Sequence, residues 1–298
     1  MTTWLLLSIL SALFLGLYDV AKKSSVDANA VLPVLFACSL AGVALLLPAG
    51  VLSWTAPELA ARHGLFVEPI SWRAHGLLAI KAGIVTTSWV FTFFALKHLP
   101  ISLAAPVRAS APLFVLLGAT LLFGERPTGA QWAGIAVILA SYWVFSVIGK
   151  SEGIVFERNR WVWMLFAGTL VAAASGLYDK HLLQGARLQP MAVQFWSTAY
   201  NAVLQGLVVA FAWWPQRRRS TPFRWRWSIL AVGALLLVAD NLYYRGLAMP
   251  GALIAVVSII RRSNVVVSFA VGSLLFGERN RRRKAGAMAG VLRLGEAQ

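Results

Sequence analysis

Residues 16–19 read Gly-Leu-Tyr-Asp, and residues 176–179 read Gly-Leu-Tyr-Asp again. Further along, Leu122-Phe123-Gly124-Glu125-Arg126 returns as Leu275-Phe276-Gly277-Glu278-Arg279. The two offsets are 160 and 153 residues. Between these pairs, Arg108-Ala109-Ser110 aligns with Arg261-Arg262-Ser263, again at 153. One shared tetrapeptide arises by chance; three matches in one order mark an internal duplication.

The duplication lies in a chain whose natural solvent is lipid. Of 298 residues, 59% are hydrophobic and 13% charged, and the mean hydropathy is +0.71. A soluble domain holds about 45–50% apolar and about 25% charged residues. So little charge could not cover so much apolar surface in water. A soluble enzyme, a disordered chain and a nucleic-acid-binding domain are therefore excluded. The balance is basic, with 27 Lys and Arg against 11 Asp and Glu. Those basic residues sit in short clusters between apolar runs, where membrane proteins carry topology signals. No nucleic-acid partner is expected. The single Cys38 leaves no intrachain disulfide framework.

A spanning helix needs about 20 mostly apolar residues. The spans expected are Trp4–Ala21, Ala30–Leu52, His75–Leu99, Ile101–Phe123, Ala130–Ile148, Trp161–Leu183, Met191–Trp214, Trp227–Met249 and Ala252–Phe276. Backbone groups in hydrocarbon must be satisfied within the segment, so these are helices. The runs are near-continuous rather than alternating, which argues against a barrel. A tenth stretch, Ala285–Leu294, is short and carries Arg293. Ala28-Asn29-Ala30 looks like a signal-peptide cleavage site, but no Lys or Arg precedes the first apolar stretch, so a retained helix is expected. Residues 53–74 read as a loop or a short helix on the membrane surface. Trp54, Trp72, Trp161, Trp213, Trp214 and Trp227 fall near span ends, as interfacial belts do.

Each half starts with the Gly-Leu-Tyr-Asp helix and reaches Phe-Gly-Glu-Arg after its fourth. A fifth helix in the first half makes the count odd, so the second half enters the membrane from the opposite side. The expected fold is an all-α integral membrane protein of two inverted-topology repeats, residues 1–149 and 150–298, each of about five helices, the tenth short or truncated. Inverted repeats are the architecture of secondary transporters, with the site at mid-membrane between the halves.

Pro112, the run Leu121-Leu122-Phe123-Gly124-Glu125-Arg126, Gly134, and the second run Leu274–Arg279 carry a resemblance. The pattern resembles the drug/metabolite transporter superfamily, specifically its ten-helix EamA-like permeases. The resemblance spans nearly the whole chain and implies a permease that alternates access without ATP. Val265 stands where the second half would repeat Pro112.

Gaps between spans, numbered along the chain, differ sharply in charge. Odd gaps, with Lys97 at the span end that borders the third, hold sixteen Lys and Arg, among them Lys22, Lys23, Arg217, Arg218 and Arg219; even gaps hold four. The positive-inside rule then puts the N-terminus outside, whereas the resemblance implies inside.

Ionisable residues inside spans each cost about 2.5–3.5 kcal/mol at a helix centre, so their presence points to function. The acids are Asp19, Asp179 and Asp240; the bases are Lys81, Arg108, Arg245, Arg261 and Arg262. Arg261 and Arg262 lie about ten residues, or roughly 15 Å, into their span. Arg108 holds the equivalent place in the first half. Three planar guanidinium forks from related helices suit an anionic group. The arrangement is similar to that of plastid phosphate translocators in the same superfamily, which implies a basic pair on the ninth helix and a further base on the fourth. The bland reading is that these arginines only neutralise the three acids. Asp240 is central, as an Arg partner or a proton carrier. Asp19 sits one turn from Lys23 and Asp179 beside Lys180, a recurrence that suggests a gating or coupling role shared with Tyr18 and Tyr178. Trp89 and Tyr243 join the expected substrate-binding set of Arg108, Arg261, Arg262 and Asp240. Lys81 reads as a snorkelling residue near a span start.

No phosphate-binding loop, metalloprotease motif or nucleophile elbow occurs, and the histidines lack metal spacing. No cofactor, metal or catalytic residue is expected. The reading is a multi-pass inner-membrane secondary transporter, not an enzyme, for a small polar anionic or zwitterionic organic metabolite. Its alternatives are a multidrug or lipophilic-cation exporter and a non-transporting membrane assembly or lipid-handling subunit. Its partners are the small-molecule substrate and membrane lipids, with a homodimer left open.

Overall fold

The computed structural model describes residues 3–100, 104, 107–108, 110–124, 129, 158–264, 266–268 and 271. The fifth span, the tenth stretch, Glu125 and Glu278 lie outside them. The described residues form helices joined by short turns and no strands. In chain order they are α1 (Thr3–Val26), α2 (Val31–Thr55), α3 (Pro57–Arg62), α4 (Trp72–His98), α5 (Ala111–Phe123), α6 (Arg160–Lys180), α7 (Pro190–Val208), α8 (Trp227–Leu247) and α9 (Ile254–Arg262). A wider π turn, His181–Gly185, continues α6, and another, Val209–Trp213, continues α7. Six of these helices are long and apolar enough to cross a membrane. Residues 53–74, read as a loop or a surface helix, contain the short α3.

Local chemistry sets the ends. Ser71 Oγ accepts from the Ala74 amide at 3.3 Å, Asn159 Oδ1 from Trp161 at 2.9 Å and Gln189 Oε1 from Ala192 at 2.9 Å. Each satisfies an amide that the first turn leaves free. Gly124 ends α5 with φ +65°, a left-handed conformation that costs glycine little. The glycine of the first Phe-Gly-Glu-Arg motif is thus a helix stop.

The fourth and ninth spans are not continuous. Val107 and Arg108 are helical, Ser110 turns, and helix resumes at Ala111. In the second half, helix runs to Arg262, Ser263 turns, and helix resumes at Asn264. Ser110 and Ser263 are the serines that the duplication aligns. Their side chains make the same bond: Ser110 Oγ donates to Val107 O at 2.8 Å and Ser263 Oγ to Ile260 O at 2.7 Å. Hydroxyls that bond a preceding carbonyl compete with the helix ladder and bend it.

Packing repeats as well. Exchanging the halves maps α1 to α6, α2 to α7, α4 to α8 and α5 to α9. The α1–α8 contact then maps onto α4–α6, α2–α8 onto α4–α7, and α1–α9 onto α5–α6. The α2–α7 and α5–α9 contacts map onto themselves. Small residues permit these approaches, and hydroxyls fasten them. Ser11 Oγ donates to Ala239 O across α1–α8 at 2.7 Å, and Ser88 Oγ to Gly168 O across α4–α6 at 2.8 Å.

Connections gather at two ends. At one, Asn29 Nδ2 donates to Arg224 O, Arg226 to Ser24 O and Lys97 to Thr221, while His98 stacks on Trp161. At the other, Gln189 donates to Phe66 O, Arg245 to Gly64 O, and Gln184 to both Leu247 O and Ala252 O. Among the described residues, the first, third and seventh gaps therefore sit at one end and the second, sixth and eighth at the other, as alternating spans require. Two buried apolar clusters, one including Val26, Leu99 and Ile229 and the other Leu78, Leu183 and Leu247, pack near these ends.

Candidate substrate cavity

A cavity of about 190 Å³ lies among the helices, and α1, α2 and α4–α9 all contribute to its wall. Five basic side chains line it, namely Lys22, Lys81, Arg108, Arg261 and Arg262. Two acids, Asp179 and Asp240, line it with them. The discontinuities in the fourth and ninth spans deliver three of the bases: Arg108 lies two residues before Ser110, and Arg261 and Arg262 immediately precede Ser263.

The charges form three groups. In the first, Asp19 lies behind the wall, 3% exposed. Its Oδ1 meets Lys22 Nζ at 2.9 Å and Arg108 Nη1 at 2.5 Å, and its Oδ2 accepts from Asn264 Nδ2 at 2.7 Å. Lys22 is itself 1% exposed and lies over the rings of Tyr18 and Phe93 at 4.4 and 5.4 Å. Such ring faces stabilise a desolvated cation. In the second group, Lys81 of α4 pairs with Asp179 of α6, whose other oxygen accepts from the Tyr243 hydroxyl at 3.3 Å. In the third, Arg261 Nη2 bonds Asp240 Oδ1 at 2.8 Å, and its guanidinium lies over the Tyr243 ring at 3.9 Å. Among the described residues, Arg262 has no carboxylate within 4 Å, and its buried Nε has no acceptor.

The structure brings together most of the side chains singled out from sequence. Arg108, Arg261, Arg262, Asp240, Trp89, Tyr243, Tyr18 and Asp179 all border the cavity. Two do not. Asp19 stands behind the wall as an anchor, and Tyr178 turns away, its hydroxyl donating to Leu77 O at 3.2 Å. Two local pairings and the orientation of Lys81 also differ from expectation. Asp19 takes Lys22, not Lys23, because α1 runs on to Val26 and keeps Lys22 on the inner face; Lys23 instead donates to Leu96 O and Leu99 O. Asp179 takes Lys81 rather than Lys180, which lies over the Phe123 ring. Lys81 does not snorkel: at 2% exposure it faces inward. Arg245 leaves the site for the Gly64 carbonyl.

Sequence reasoning missed Lys22 and Lys81 as wall residues, along with Gln194 and Asn201 of α7. The α7 amides carried a signal: Gln194, Asn201 and Gln205 recur at intervals of seven and four, which places them on one helix face.

Comparison with known proteins fits this geometry. The model of the EamA-like transporter family matches residues 2–147 and 159–292, once in each half. The chain belongs to the EamA-like transporter family. It is thus a multi-pass inner-membrane transporter of the drug/metabolite transporter superfamily rather than an enzyme. A crystal structure of another protein matches 99% of this EamA-like chain and 97% of its own, with TM-score 0.69 at 20% identity. That likeness shows the shared fold. The probable 4-amino-4-deoxy-L-arabinose-phosphoundecaprenol flippase subunit ArnF of Photorhabdus laumondii is 34% identical over 104 residues. The match covers 82% of that protein and 32% of the EamA-like chain, so the relative corresponds to a fraction of this duplicated molecule.

Proposed function

We propose that the protein carries a small anionic or zwitterionic organic metabolite across the inner membrane by alternating access. The observation that carries this reading is the charge of the cavity. Among the described residues, five bases face three acids even when Asp19 is included, and Arg262 has no acid of its own. A buried cation without a counter-ion is costly, and an anionic cargo that pairs with it offsets the cost. Guanidinium groups favour planar carboxylate or tetrahedral phosphate oxygens. Trp89, Phe93 and Tyr244 give the same space apolar walls for an organic body.

In this reading the Asp19 and Asp179 groups act as fasteners on either side of the cargo. The first joins α1 to the ninth span through Asn264, and the second joins α4 to α6 and α8. Opening one while the other holds exposes the cavity to one side at a time. The basic end, with Arg217, Arg218, Arg219, Arg224 and Arg226, would then face the cytoplasm and the N-terminus the outside.

The likeness to ArnF favours a second reading, a cargo bearing a phosphate and an amino group attached to a lipid. A lipophilic-cation exporter is disfavoured, since each acid on the wall has a basic partner. Counterflow in liposomes against panels of carboxylates, phosphates, amino acids and organic cations separates the readings. Uptake of an anion that Arg262→Ala abolishes supports the proposal; uptake of cations only, or anion uptake indifferent to Arg261→Ala and Arg262→Ala, refutes it.

A further inference from the structure

We infer that Asp240 is a built-in competitor for the cargo's anionic group: it holds Arg261 until a cargo carboxylate or phosphate displaces it. The inference rests on the anionic-cargo reading and adds a specificity-determining residue to it. Three observations single out Asp240 from the other two acids.

The first is bonding. Asp19 is held through both oxygens, by Lys22, Arg108 and Asn264, and Asp179 through both, by Lys81 and Tyr243. Among the described residues Asp240 has one bond, from one oxygen to one guanidinium nitrogen. A single-point pair forgoes the two-pronged geometry that makes Arg–carboxylate contacts strong. The second is exposure. The Asp240 side chain is 23% exposed, against 4% for Asp19 and 6% for Asp179, so it alone among them meets solvent appreciably. The third is what surrounds its partner. Among the described residues, the buried Nε groups of Arg261 and Arg262 have no acceptors, and both arginines border the cavity. A cargo oxyanion that replaces Asp240 gains Arg261 and, beside it, the unpaired Arg262, which Asp240 does not bond.

An internal competitor sets a threshold. Only an anion that engages both arginines outweighs a carboxylate tethered beside one of them, so a spherical halide is excluded while a carboxylate or phosphate is admitted. The apparent affinity is lowered by the fraction of time Arg261 is occupied.

Calorimetric titration of purified full-length protein with inorganic phosphate, acetate and chloride tests this. Asp240→Asn is expected to tighten phosphate and acetate about tenfold and to make chloride binding measurable. Asp240→Ser, which cannot imitate the carboxylate charge either, is expected to do the same. Arg262→Gln is expected to lose binding in both the wild-type and Asp240→Asn backgrounds. Phosphate or acetate binding to the wild type that weakens or stays unchanged in both Asp240 variants overturns the competitor while leaving the anion site standing. No anion binding to any folded protein, or binding indifferent to Arg262→Gln, overturns the anion-site reading and this inference with it.

Discussion

Lys81 and Asp179, 98 residues apart in sequence, form an ion pair on the cavity wall with side chains 2% and 6% exposed. The pair joins α4 to α6 in the contact that the duplication relates to α1–α8. Removing one member leaves the other charged in a medium that cannot solvate it. Lys81→Ala is therefore expected to destabilise the protein by about 3–5 kcal/mol, whereas Lys81→Met with Asp179→Leu is expected to be close to neutral. Unfolding in detergent with increasing SDS checks this; a single variant no worse than the double refutes it.

Asp19 and Asp240 should differ sharply as stability determinants. Asp19 anchors two bases and Asn264 behind the wall, while Asp240 makes one bond at the edge of the open space. Asp19→Asn is expected to cost about 3–5 kcal/mol. Asp240→Asn is expected to cost about 1 kcal/mol or less, since exposure screens the pair. Melting curves of the two variants in one detergent decide the order.

Two glycines give opposite expectations. A Cβ at Gly233 would lie 2.9 Å from the Cys38 carbonyl oxygen and 3.0 Å from Ala41 Cβ, so α8 could not stay as close to α2. Gly233→Ala is expected to cost about 1–3 kcal/mol. A Cβ at Gly83 in α4 meets nothing within 4 Å. Gly83→Ala is expected to stabilise by about 0.5–1 kcal/mol through helix propensity. Thermal unfolding of both variants tests the packing.

Cys38 is the chain's single cysteine and borders the cavity at 3% exposure. It is a natural reporter of the local field. Because bases outnumber acids there, a sulfonate-bearing methanethiosulfonate should modify Cys38 faster than a trimethylammonium analogue of similar size. Intact mass against time reads both rates, and preference for the cationic reagent would contradict the charge assignment.

Much of this architecture was legible from residue order. Apolar length placed the spans, and the aligned Arg108-Ala109-Ser110 and Arg261-Arg262-Ser263 pointed to arginines that do border the cavity. What stayed hidden depended on helix rotation and distant partners. The first apolar run fades at Ala21, but α1 continues to Val26, which turns Lys22 inward and gives it Asp19. Lys81 follows the start of its span by a few residues, a position that suggests reaching outward; only the approach of α6 supplies the carboxylate that keeps it inside. Nor does sequence show that the two matched serines interrupt their helices, because the same residues also occur in unbroken ones.

The exchange of contacts between halves has an energetic consequence. If the interfaces that seal one mouth are copies of those that would seal the other, trading one set for its twin leaves the free energy nearly level. Two such conformers are close to degenerate, so neither orientation is a trap and both are populated without cargo.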